Sequence, residues 1–269
     1  TGHYFPAEAA EPFKCPERFF TNVEGTQGLS GCLACTPGSY CAEYGLSEVS
    51  GPCDAGYYCS GEPAGTSNGG SDQASPVGQE FGSICPEGHY CPQGSKNPLK
   101  CPRGTYMNTT MNDGEVYFES NQYYCNLCPA GYACDAQALT TSDGTGLCRR
   151  GFWCTIGAPA RSPVCEDASC VDMYGICPLG TYCPVGSTRP TNCSEGTYAD
   201  SEGMAACETC PEGQFCAGAG TSTYEICPQG FFCPAGTGND KKPCPVGKYG
   251  ASPGLAAEDE CTACMEGMY

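Results

Sequence analysis

The sequence predicts a fold of small disulfide-rich repeats: an elongated rod of short β-hairpins and turns, with little helix and no conventional hydrophobic core. Three observations carry this. Leu, Ile, Val and Phe together make up 31 of the 269 residues, about 12%, and a chain below about 20% in these types with a large net charge does not collapse on apolar volume alone. Cysteine supplies 27 residues, a density at which bridges take the place of a core. A seven-residue pattern, C-x-x-G-x-x-C, recurs along the chain, which makes the architecture a repeat array.

The units follow one another in a readable order. Eight have both cysteines: CTPGSYC at 35–41, CDAGYYC at 53–59, CPEGHYC at 85–91, CPAGYAC at 128–134, CRRGFWC at 148–154, CPLGTYC at 177–183, CPEGQFC at 210–216 and CPQGFFC at 227–233. Others keep the first cysteine and lose the last: CPRGTY at 101, CSEGTY at 193, CPVGKY at 244, and a degenerate CPERFF at 15. Each of these four is followed by a variable loop and a C-x-x-C pair, at Cys32/Cys35, Cys125/Cys128, Cys207/Cys210 and Cys261/Cys264. The chain therefore divides into residues 1–14, the tail of a preceding repeat; 15–100, a first module with a Gly/Ser-rich insertion at 60–84 and an extra C-x-x-G-x-x-C unit; 101–192, a second module with extra cysteine pairs; 193–243, a third; and 244–269, an incomplete fourth.

Local chemistry explains the motif. Cys-Pro-x-Gly reads as a β-turn with Pro at the second position and Gly at the fourth. The aromatic residues that follow can cover a bridge in place of a core side chain, so Tyr40, Tyr58, Tyr90, Tyr182, Phe215 and Phe232 are expected to be structural. One helical turn is expected at residues 252–257, with Ser252 as cap and Pro253 in the first position, and Gly203-Met204-Ala205-Ala206 occupies the related place one module earlier. The insertion 60–84 reads as a flexible loop or linker.

The compartment follows from the cysteines. Bridges at this density need an oxidising environment, so the chain is expected to be secreted, at the cell surface or in a surface appendage. The net charge of −18, from 30 acidic and 12 basic residues, opposes nucleic acid and anionic membrane as partners. No apolar run approaches the ~18 residues of a membrane span. No signal peptide opens the chain at Thr1, and both ends fall inside repeats, which predicts a window onto a longer repetitive protein. Because 27 is odd, one thiol lacks a partner in this window, and the repeat assigns it to Cys264; a free or intermolecular thiol there is the rival reading.

The combination C-x-x-G-T-Y…C-x-x-C-P-x-G-x-x-C…C-P-x-G-x-x-C resembles the ephrin-receptor-like cysteine-rich repeats, relatives of the cysteine-rich modules of tumour necrosis factor receptors, over nearly the whole chain. The resemblance implies pairing of first with second, third with fifth and fourth with sixth cysteine. That gives Cys15–Cys32, Cys35–Cys53 and Cys41–Cys59; Cys101–Cys125, Cys128–Cys148 and Cys134–Cys154; Cys193–Cys207, Cys210–Cys227 and Cys216–Cys233; and Cys244–Cys261. Cys85–Cys91 follows by elimination, and Cys165–Cys177 with Cys170–Cys183 by analogy. Such repeats occur in receptor ectodomains and in long arrays in protist and algal surface proteins, including proteins similar to those of flagellar hairs (mastigonemes).

Catalytic chemistry finds little support. The four C-x-x-C pairs sit in no thioredoxin-like αβ pattern and are too far apart for a zinc ribbon. No D-x-D-x-D-G calcium loop occurs. His3 and His89, the two histidines, occupy a position that other copies fill with Ser, Tyr, Thr, Gln or Phe. The expectation is no enzyme, cofactor or metal. Two N-glycosylation sequons occur, a clean one at Asn108 in a long loop and a weaker one at Asn192, whose middle residue Cys193 is expected to be bridged early. The function expected is that of an extracellular structural protein, a stapled segment of a surface filament, appendage or coat. Its partners would be copies of itself or other extracellular structural proteins, met through exposed aromatics and loops such as Met107–Tyr124, which carries Tyr117, Phe118, Tyr123 and Tyr124. The alternative is a receptor or adhesion ectodomain that binds a protein ligand.

Overall fold

The structure, a computed structural model, describes residues 1–61, 69–107, 125–162 and 174–267. Among them the regular structure is a succession of two- and three-residue strands with two single 3-10 turns, Leu29–Gly31 and Glu258–Glu260. Small disulfide-rich β-hairpin repeats are therefore the fold. The chain forms two compact bodies, Thr1–Asn126 with Gln137–Ser142, and Leu127–Ala136 with Asp143–Tyr269.

The buried apolar side chains of both bodies are mostly half-cystines, and large aliphatic side chains are left exposed, among them Leu33, Leu99, Ile156 and Val185. With this composition no apolar layer can close, and sulfur fills the small spaces between turns.

Numbering each seven-residue unit from its first cysteine shows how it folds. The position-2 carbonyl accepts from the position-5 amide, as in Pro178 with Thr181 (3.2 Å) and Pro228 with Phe231 (3.3 Å). The β-turn thus starts one residue later than the sequence suggests. This places the glycine third in the turn, where a left-handed conformation is required, and Gly180 and Gly230 have φ of 74° and 82°. The degenerate copy at 15 has Arg18 at this position, forced to φ 74°.

The turn swings position 7 back beside position 1 of its own unit, and this overturns part of the pairing that the resemblance implies. The structure closes Cys35–Cys41, Cys53–Cys59, Cys85–Cys91, Cys128–Cys134, Cys148–Cys154, Cys177–Cys183, Cys210–Cys216 and Cys227–Cys233, with Cα–Cα separations from 5.8 to 6.3 Å, within the span of a bridge. Cys35–Cys53, Cys41–Cys59, Cys128–Cys148, Cys134–Cys154, Cys210–Cys227 and Cys216–Cys233 are therefore incorrect, because each sulfur is already used within its own turn. Cys165–Cys177 and Cys170–Cys183 fall for the same reason; Cys165 and Cys170 themselves lie outside the described residues. Where position 7 is Thr21, Met107, Ala199 or Gly250, position 1 instead reaches the cysteine three residues before the next unit. This gives Cys15–Cys32, Cys101–Cys125, Cys193–Cys207 and Cys244–Cys261.

Successive units are joined by backbone. Positions 5 and 6 pair antiparallel with the two residues before the next unit, as Thr181–Tyr182 does with Thr191–Asn192, and Gln214–Phe215 with Glu225–Ile226. The expected helical turn at 252–257 is displaced to Glu258–Glu260. Gly254 is held at φ 85° with its amide on Cys227 O (2.8 Å), so these residues serve the array and cannot wind. Gly203 is held in the same way, its amide on Cys177 O (2.7 Å).

Part of the insertion is also packed. Pro76 and Phe81 are buried, Ser71 O accepts from the Cys41 amide (2.9 Å), Ala74 O accepts from the Asp54 amide (2.8 Å), and Asp72 meets the Arg18 guanidinium at 3.2 Å. Residues 69–84 are therefore a wall of the N-terminal body, where the sequence suggested a flexible linker.

Candidate functional site: the interlocked spine and its outer row

The chemistry of the repeat is concentrated in a spine that ties three consecutive units together. The position-1 amide of one unit donates to the position-4 carbonyl of the unit before, as Cys193 does to Gly180 (2.9 Å). The carbonyl of that cysteine accepts from a loop glycine after the following unit, as Cys193 does from Gly220 (2.8 Å). The same links run from Gly38 through Cys53 to Gly94, at 2.9 and 2.8 Å, in the N-terminal body. The amide and carbonyl of Cys53 and of Cys193 are thereby both satisfied, as buried backbone in an array without a core requires.

The spine is close-fitting. A Cβ on Gly180 would lie 2.1 Å from Gly220 O, and one on Gly38 would lie 2.4 Å from Gly94 O. At Gly38 and Gly180 glycine is needed twice over, for its left-handed φ and for the carbonyl two units on. The loop glycines went unrecognised in the sequence, although a second turn motif marks several of them. Pro-x-Gly-Ser/Thr follows position 7 at 92–95, 184–187 and 234–237, and there the Ser or Thr hydroxyl donates to the Pro carbonyl at 2.6, 2.7 and 2.6 Å. Glu8 and Ala138 fill the loop-glycine place in two copies, with φ of 69° and 59°.

Aromatic rings at position 6 seal the bridges of the next unit. Tyr198 packs on Cys210 and Cys216, and Phe215 packs on Cys227 and Cys233. Phe215 and Phe232 are buried, whereas Tyr40, Tyr58, Tyr90 and Tyr182 are half-buried. Lys241 Nζ sits 3.7 Å over the Phe215 ring. The Tyr198 hydroxyl donates to Glu208 Oε2 (3.0 Å). That hydrogen bond, then burial, then the carboxylate's charge push the phenol up to about 12.

An outer row lies on the spine. The residue before each unit's first cysteine lies over a loop glycine: Leu147 over Gly186, Ile176 over Gly203, Asn192 over Gly220, Thr209 over Gly236 and Ile226 over Gly254. Leu147, Ile176 and Ile226 are nonetheless 37%, 43% and 65% exposed. Tyr44, Tyr224 and Tyr249 are exposed aromatics. Asn108 and the segment 108–124, with Tyr117, Phe118, Tyr123 and Tyr124, lie outside the described residues.

The histidines are tied to their own backbone. His3 Nδ1 faces Thr1 O and His89 Nδ1 faces Glu87 O, both at 2.9 Å, the same local contact in both copies of GHY. Among the described residues no cluster of three metal-ligating side chains forms. An open polar groove is lined by Glu195, Thr237, Asp240 and Lys242, with the Asn239 amide donating to Glu195 Oε1. Cys264 is free and half-exposed.

No family model matches the chain. The ABC transporter G family member 28 of Arabidopsis thaliana is 33% identical over 141 residues, which are 44% of this chain and 12% of that protein. A likeness to so small a share of the transporter does not carry family membership, and Cys, Gly and Pro alone make up about a third of this chain. Among the described residues no helix is long and apolar enough to cross a membrane. The bridges fit an extracellular or secreted protein.

Proposed function

We propose that the chain is an extracellular structural segment: a stapled repeat array, similar to ephrin-receptor-like cysteine-rich repeats, within a surface filament, appendage or coat. The spine is the observation that supports this. Units are locked to their neighbours by main-chain bonds, several of them through glycines such as Gly38 and Gly180 that leave no room for a side chain, so the array resists deformation without a core. Staples closed within eight of the turns, at a sequence separation of 6, leave little slack there for a protease or for tension. A head-to-tail contact that does not close would extend such segments into a filament. Electron microscopy of native source material tests the reading: filaments or a coat labelled by an antibody to this chain are expected, and dispersed single particles would contradict it.

The outer row favours a second reading. Leu147, Ile176 and Ile226 present exposed aliphatic surface of the kind a protein ligand covers, as in a receptor or adhesion ectodomain. Saturable binding of one extracellular protein, lost in the Ile176→Asp and Ile226→Asp variants, would decide for it.

A further inference from the structure

We infer that Asn192 is an N-glycosylation site whose occupancy is set by a race with formation of the Cys193–Cys207 bridge; this rests on the extracellular reading. The sequon Asn192-Cys193-Ser194 has a half-cystine in its middle, and the fold treats its three residues oppositely. Asn192 is exposed at the edge of its hairpin, its side-chain amide resting over Gly220, which has no side chain to cover it. Cys193 is completely buried, bonded to Cys207, and its amide and carbonyl are both used by the spine. Ser194 begins the next turn, its carbonyl accepting from the Thr197 amide (3.0 Å) and its Oγ 3.4 Å from Thr197 Oγ1.

A glycan on Asn192 is therefore compatible with the finished fold, but its transfer is not. The transferase must seat Asn and the hydroxyl two residues on together, and the closed bridge fixes the residue between them. The window is the interval before Cys207, 14 residues later, is available to Cys193. In the transfer, Asn192 Nδ2 attacks the anomeric carbon of a lipid-pyrophosphate-linked oligosaccharide. The N–C bond forms, the C–O bond to pyrophosphate breaks, lipid pyrophosphate leaves, and Nδ2 gives up one proton to base. Once attached, the sugar stands between the exposed Ile176 and Thr209 in the outer row and hydrates that stretch of it.

The test is site-resolved glycopeptide mass spectrometry on the chain secreted from a eukaryotic cell. The wild type is expected as a mixture occupied and unoccupied at Asn192. Ser194→Ala, which leaves Asn192 intact, is expected to abolish occupancy. Cys207→Ser, or a pulse of dithiothreitol during synthesis of the unaltered chain, is expected to raise the occupied fraction at least twofold. A bare Asn192 under all these conditions, or the same occupied fraction with and without the bridge, overturns the inference. Alkylation of the same unreduced sample separates the two premises: bridges formed but Asn192 bare defeats the glycan alone, whereas a secreted chain with most thiols free defeats the extracellular reading.

Discussion

Replacing Gly180 with Ala measures what the spine contributes, because a matched control exists within the same body. Gly180 and Gly230 occupy position 4 of their units with similar left-handed φ, 74° and 82°. Alanine at either site bears the left-handed penalty of about 1–2 kcal/mol. The surroundings differ: the new Cβ would lie 2.1 Å from Gly220 O at position 180 and would meet nothing within 4 Å at position 230. Relieving the contact means pushing the loop two units away, and overpacking of this sort costs about 1–3 kcal/mol. Gly180→Ala should therefore lose about 2–5 kcal/mol locally and Gly230→Ala about 1–2 kcal/mol. A repeat array opens locally, so the readout is native-state hydrogen exchange at the amides that bond across the contact, Cys193 to Gly180 and Gly220 to Cys193. Their protection should fall by about 5- to 150-fold more in Gly180→Ala than Gly230→Ala lowers protection at Cys244, which bonds to Gly230. Equal losses in the two variants would refute the three-unit interlock.

Three further outcomes follow from the packing. Iodoacetamide on the unreduced protein should label Cys264 and no other described cysteine; stepwise reduction should then release Cys125, Cys207 and Cys244, which are half-exposed, before the buried pairs closed within their own units, as alkylation mass spectrometry would show. Phe215→Ala uncovers Cys227 and Cys233 and should lower local stability by about 3 kcal/mol, read by exchange at Gly213 and Cys227. Tyr198 should ionise well above the ordinary tyrosine range, followed by absorbance near ~295 nm as the difference from Tyr198→Phe. Its pKa is raised in the fold to about 12, so the proton it holds stabilises the native state fully below pH 10, and that contribution fades as pH climbs towards 12. Glu208→Gln should bring its titration back towards the ordinary tyrosine range.

Much of the fold was legible because it is written in cysteine and glycine. The poverty of Leu and Ile and the recurrence of C-x-x-G ruled out a core and gave the units their boundaries. The bridges at Cys35, Cys128 and Cys210 were misread because sequence separation says nothing about which sulfur a turn brings back. A bridge at a spacing of six and one at eighteen are equally open on paper, and only the left-handed glycine decides between them. The loop glycines were missed for a related reason. Gly203, Gly220 and Gly254 have no fixed neighbour in sequence, and what requires them is a left-handed φ of 75°, 77° and 85° at an amide that bonds to the first cysteine of the preceding unit. The insertion 60–84 looked like a flexible loop or linker because it is rich in Gly and Ser, yet Pro76, Phe81 and Asp72 give residues 69–84 a packed face. Asn192 was found by its sequon, and the half-cystine in its middle already marked the site as one that early bridging weakens; the fold adds that Asn192 is exposed while Cys193 is completely buried.

Digestion of the unreduced protein with a glutamate-specific protease tests the central claim most directly. Cleavage after Glu225 falls between Cys216 and Cys227. With each turn closed on itself, the fragments carrying Cys210 and Cys216 should separate from the fragment carrying Cys227 and Cys233 without any reductant. A disulfide-linked species joining Cys210 to Cys227 or Cys216 to Cys233 would contradict it.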